Sequence, residues 1–164
     1  MNCTVESLLA QHYDCIIFAS QQVQILDEIS EKIQSLGVKH FNLSKELSSV
    51  LMAVLPAERC KYAQEWLREL ASGLQEEPIL FSHPDLLFHP SLEIDFFSLI
   101  RQVARLKQII VLWLGEYSAG TLTYAIPDHH HYRVWKISDS LLLQPKIFIY
   151  QISACLLYTS DAAD

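Results

Sequence analysis

A chain of 164 residues, 51% of them hydrophobic and 19% charged, is long enough for one domain to bury its own core and too apolar to remain disordered. Its formal net charge of −7 repels phosphate backbones at long range, and no run of lysine or arginine offsets it, so direct nucleic-acid binding is not expected. The cysteines Cys3, Cys15, Cys60 and Cys155 form no Cys-x-x-Cys pair, the start MNCTVESLLAQHYD has no basic-then-apolar leader pattern, and no apolar run reaches the length of a membrane span, all of which fits a cytoplasmic protein with reduced thiols.

In chain order, Asp14 to Ala19 (DCIIFA) is a short apolar run rich in β-branched residues and reads as a buried strand. Gln21 to Leu36 follows as a helix, with Leu26, Ile29, Ile33 and Leu36 at helical spacing and Gly37 as its stop. Val38 to Leu43 is a second strand. Ser44 then reads as the N-cap of a helix that presents Leu47, Val50, Leu51 and Val54 and ends at Pro56. A third helix, Glu58 to Leu74, is expected to turn Tyr62, Trp66, Leu70 and Leu74 inward. Ile79 to Ser82 (ILFS) is a strand, and Leu92 to Leu106 a helix with the stripe Leu92, Phe96, Leu99, Ile100, Val103 and Leu106. Gln108 to Leu114 (QIIVLWL) is the most apolar segment and should be central and parallel. Tyr132 to Ile137 and Lys146 to Ile152 complete the strand candidates. Strands alternating with helices predict a three-layer α/β fold around a parallel sheet, in a single domain over residues 1–154. Residues 155–164, CLLYTSDAAD, resemble the translation of a sequencing-library adapter and are set aside from the fold as read-through.

In such a sheet, function gathers at the carboxyl ends of the strands. After the first strand a phosphate-binding loop would need glycines for its backbone turns, a lysine for the phosphates and a serine or threonine for Mg²⁺. Ala19, Ser20, Gln21 and Gln22 stand there instead, and Ala19 to Leu26 holds neither glycine nor lysine. After ILFS, a carboxylate that could hold Mg²⁺ is replaced by Ser82, and Asp85 is expected as a turn or helix cap flanked by His83 and His89 in a loop kinked by Pro84 and Pro90. After QIIVLWL, Glu116 should point into the crevice, where a carboxylate can orient a water or accept a ligand's hydrogen bond. His129, His130 and His131 read as a solvated loop, because neighbouring side chains diverge and do not converge on one metal ion.

The segment Val111 to Trp135, VLWLGEYSAGTLTYAIPDHHHYRVW, together with Asn42-Leu43-Ser44 and DLLFHPSLEIDFFSLI, resembles BrxF, the small P-loop family of type 3 BREX phage-defence systems. The resemblance spans residues 10 to 137 and rests on Trp113, Gly115, Glu116, Tyr117, Leu122, Thr123, Tyr124, Pro127, His129 and Tyr132. It implies a P-loop NTPase-type fold, ATP and Mg²⁺ as the family's cofactors, and other BREX proteins as partners. The family's Walker A motif has no counterpart here. If the loop keeps its length, its lysine falls on Ile25 and its serine or threonine on Leu26, while the Walker B aspartate falls on Ser82. The expectation is therefore a degenerate member, a pseudo-ATPase serving as scaffold or regulator, with no cofactor, no metal and no catalytic residue of its own. The alternative is an ATPase of the same system with an unusual or partner-completed phosphate site.

Overall fold

The computed structural model describes residues 4–73, 78–125 and 132–152. Pro127, His129 and the segment 155–164 lie outside the described residues, as do Cys3 and Cys155.

Among the described residues, seven strands form one sheet: β1 (Cys15–Ser20), β2 (Lys39–Asn42), β3 (Ile79–Ser82), β4 (Ile109–Ser118), β5 (Thr121–Tyr124), β6 (Arg133–Lys136) and β7 (Ile147–Gln151). Five of them run in the order β2-β3-β4-β1-β7, and every pairing along that path is parallel. β4 is indeed central, flanked by β1 and β3. All six side chains of β1 are buried. This is why its sequence is a continuous apolar run rather than an alternating one.

The helices are α1 (Val5–Ala10), α2 (Val23–Ser35), α3 (Leu43–Leu51), α4 (Arg59–Gly73) and α5 (Phe96–Leu106). They divide between the faces. Ile16 and Phe18 of β1, Leu80, Ile110 and Leu112 pack with Val5 and Leu8 of α1 and Leu26, Ile29 and Ile33 of α2. Cys15, Ile17 and Ala19, with Ile79, Phe81, Val111, Trp113 and Ile149, face α3, α4 and α5. The sheet is thus mostly parallel and covered on both sides by helices.

Several sequence expectations need correction. Helix α3 is capped by Asn42, whose Oδ1 accepts from the Lys45 N–H, and not by Ser44, which lies inside the helix. Its inward residues are Leu43, Leu47 and Leu51, and it ends before Val54 and Pro56. Helix α4 buries Ala63, Leu67 and Ala71, so its true stripe is one position on from Tyr62, Trp66 and Leu70. The small alanines let the helix approach closely while Trp66 and Leu70 pack at the margin and Tyr62 stays exposed. Helix α5 starts at Phe96 behind the cap Asp95, leaving Leu92 in a preceding 3-10 turn and Leu106 exposed. α1, absent from the sequence reading, begins at a capping box between Thr4 and Ser7.

The largest correction is the hairpin. β4 runs on through Gly115, Glu116 and Tyr117 to Ser118, then pairs antiparallel with β5, which pairs with β6. The strand expected to end at Leu114 thus runs on, and Gly115, Glu116 and Tyr117 are ladder residues. The turn between β4 and β5 is Ala119-Gly120, with φ of 51° and 74°. Two positive φ values in a two-residue loop are the geometry that matches the twist of a hairpin.

Candidate functional site

The sheet changes winding direction between β1 and β4. The connection from β1 runs through α2 on one face, whereas Leu141 and Leu142, on the way from β4 to β7, pack on the opposite face. The crevice above Ser20 and Leu114 is thus the switch point, where open α/β sheets bind ligands.

At the end of β1, Ala19 is fully buried within the strand, and Ser20 is its last residue. α2 begins at Val23, so the strand-to-helix turn is Gln21-Gln22 alone. Ser20 Oγ accepts from the Gln22 N–H at 3.1 Å, and the Gln22 side chain caps nothing. Gln21 Nε2 donates to Glu116 Oε2 at 3.1 Å, bridging the crevice. Glu116 is exposed and is held by this bond. Ile25 and Leu26, which a loop of unchanged length would make the lysine and hydroxyl positions, are inside the first turns of α2, and Leu26 is part of the core.

At the end of β3, Ser82 is buried, and its Oγ lies 2.7 Å from His40 Nε2 and 2.9 Å from His83 Nδ1. The register Asn42↔Ser82 puts His40, two residues before Asn42, on the same sheet face as Ser82. A hydroxyl has one hydrogen, so one imidazole accepts it and the other donates to the oxygen. Partial desolvation of the ring first, and the neighbouring imidazole of His83 second, hold His40 below the ordinary histidine range. His83 has φ 53°, a left-handed conformation that a non-glycine residue holds only under the constraint of its surroundings. Ser44 helps impose it. Its hydroxyl lies 2.5 Å from the His83 carbonyl and 3.1 Å from Asp85 Oδ1, and accepts from the Leu86 N–H. Asp85 is therefore a tertiary acceptor rather than a turn cap, and Tyr124 Oη donates to its Oδ1 at 3.3 Å. Burial, then the Asp85 carboxylate, push the Tyr124 phenol well above its usual range.

Midway along β4, Trp113 is fully buried among Phe88, Phe96, Tyr124 and Trp135, with ring centroids 5.2–5.5 Å away. Its indole N–H donates to the Thr123 carbonyl at 2.8 Å. The Tyr117 N–H donates to Gln151 Oε1 at 2.7 Å, and Tyr132, partly buried, precedes β6. Trp113, Gly115 and Tyr124 thus share one packed hairpin, and Tyr124 alone of them reaches the β3 terminus. Sequence reasoning missed His40, which lies 42 positions from Ser82 and carries no motif.

A pocket of about 90 Å³ lies between α2 and the ends of β3 and β4. Leu26, Asp27, His40, Ser82, His83 and Tyr124 are among its lining residues, with Leu112 and Leu114 as an apolar wall. It is well short of the roughly 300–1,000 Å³ of sites for larger ligands. Among the described residues, no three His, Cys, Asp or Glu side chains are placed to share a metal ion, and no helix is long and apolar enough to cross a membrane. No protein-family model, curated protein or solved structure matches the chain.

Proposed function

We propose that this protein is a P-loop-type α/β domain that is non-catalytic toward nucleotide, a pseudo-ATPase acting as scaffold or regulator among the proteins of a bacterial BREX anti-phage system. The BREX assignment rests on the resemblance carried by Trp113 to Tyr132. The non-catalytic assignment rests on one observation: the Gln21-Gln22 turn leaves no loop between β1 and α2, and the Gln21–Glu116 bond spans the crevice above it.

A phosphate site works by aiming several backbone N–H groups, a lysine and a metal at one anion. A two-residue turn cannot wrap a phosphate, no lysine stands beside it, and Ser82 is engaged with two imidazoles where a metal-binding carboxylate would be needed. Losing three charge-assisted contacts at about 1.5–3 kcal/mol each weakens binding by several orders of magnitude.

Calorimetric titration of the full chain with ATP and Mg²⁺ tests this reading. No binding is expected up to millimolar nucleotide, and micromolar binding would overturn it in favour of an ATPase with an unusual site. Ile25→Lys alone is expected to leave the titration silent, because that position lies in α2 behind a turn too short to present it.

A further inference from the structure

We propose that Ser82 is an acyl-accepting nucleophile, with the imidazole of His40 or His83 as its general base, and that it takes small, uncharged acyl esters. The proposal is independent of the nucleotide reading, since it concerns chemistry at β3 that needs neither phosphate nor metal.

Three observations carry it. First, Ser82 Oγ has imidazole nitrogens at 2.7 and 2.9 Å, the nucleophile-to-base reach of serine acyl transfer. Second, Ser82 ends a parallel strand inside the sheet and lines a pocket, while His40 and His83 are solvent-exposed, so protons can leave and enter from water. Third, the residue after the serine, His83, is held in a left-handed conformation, and Ser44 braces its carbonyl. Strain of this kind gathers at reactive sites. The amide of the residue after the nucleophile is also where acyl-transfer serines find an oxyanion donor.

The pocket sets the substrate class. At about 90 Å³, with Val23, Leu26, Leu112 and Leu114 as apolar walls, it admits an acetyl-sized acyl group and leaves the alcohol portion outside. The step is balanced without a co-reactant other than water. Ser82 Oγ bonds to the acyl carbon as its proton passes to imidazole. The ester C–O bond then breaks, and the imidazolium returns the proton to the leaving alcohol. Water, deprotonated by the same imidazole, releases the acid and regenerates the hydroxyl.

The test is incubation of the full chain with para-nitrophenyl acetate, reading nitrophenolate release and mapping the acetyl group by peptide mass spectrometry. The acetyl group is expected on Ser82 and is expected to vanish in Ser82→Ala. The rate should fall about 10²–10⁴-fold in His40→Gln or in His83→Gln, whichever removes the base, and should decline toward acid as that imidazole protonates. Acetylation confined to lysines, acetylation unchanged in Ser82→Ala, or a rate indifferent to both histidine substitutions would each overturn the assignment. Because the acetyl position is mapped in the unmodified chain, failure of Ser82→Ala to fold leaves the test decisive.

Discussion

Gly115 lies where the backbone of β5 passes over β4. A Cβ placed on it would fall 1.8 Å from the Thr123 carbonyl oxygen and 3.1 Å from the indole nitrogen of Trp113. The obstacle is backbone, so it cannot swing aside, and the same carbonyl is the acceptor for Trp113. Gly115→Ala should therefore cost at least about 1–3 kcal/mol, the range of overpacked cores, read as a lower midpoint in urea unfolding. His40 supports a prediction of opposite character. Its folded-state pKa lies below the ordinary value of 6.5, so the unfolded chain takes up the proton first as pH falls. This contribution is complete above pH 6.5 and is lost on going more acidic, as the charge on His40 comes to stand beside the Ser82 hydroxyl and the His83 ring. Asp85 and Tyr124 belong to the adjoining network, and Asp27 of α2 lines the same pocket. Thermal melts between pH 7.5 and 5.5 should fall more steeply for the parent chain than for His40→Gln. Equal slopes would remove His40 from the account.

At the scale of elements, the β4–β5 hairpin shows how local chemistry can be adequate without being optimal. Gly120 takes its φ of 74° freely, but Ala119 holds 51° against its own Cβ. The left-handed region costs a non-glycine residue about 1–2 kcal/mol, and asparagine tolerates it better than alanine. Ala119→Asn should accordingly raise the melting temperature, with a gain of about 0.5–1 kcal/mol expected and checked by calorimetry. No change or a loss would show that the turn is not the two-residue hairpin described. The same hairpin gives much of the Trp113–Tyr124 motif a packing role. Trp113, Tyr124 and Trp135 close over Phe88, Phe96 and Phe97, so these aromatics tie the hairpin to the turn after β3 and to α5.

Across the whole molecule, strand order decides which termini can cooperate. With β4 between β1 and β3, the ends of β1 and β3 stand two strand spacings apart, roughly 10 Å, within the span of one bound phosphate-and-metal group. The side chains at the two termini are engaged elsewhere: Gln21 with Glu116, and Ser82 with His40 and His83. The two termini carry different expectations, silence toward Mg·ATP at one and reactivity toward a small ester at the other. Either can fail without the other.

The sequence by itself determined the parallel core. DCIIFA, ILFS and QIIVLWL each hold a run of three to six consecutive apolar residues, which only a strand covered on both faces requires, and they stand as neighbours in the sheet. Helical periodicity likewise identified α2 and most of α5, and the missing glycine and lysine after the first strand were plain from residue types alone. Face and register were less legible where small or flanking residues blur the stripe, as with Ala63, Leu67 and Ala71 in α4. The hairpin was signalled only by Ala119-Gly120 between short alternating runs, a cue missed when the strand is ended at Leu114. Tertiary structure alone decided the two features at the site that matter most. The length of the turn after β1 depends on where α2 starts packing against the sheet. The His40–Ser82–His83 cluster depends on the parallel pairing of β2 with β3, which joins residues 42 positions apart. Neither follows from local periodicity, because hydrogen bonds between strands are set by which strands the whole core places side by side.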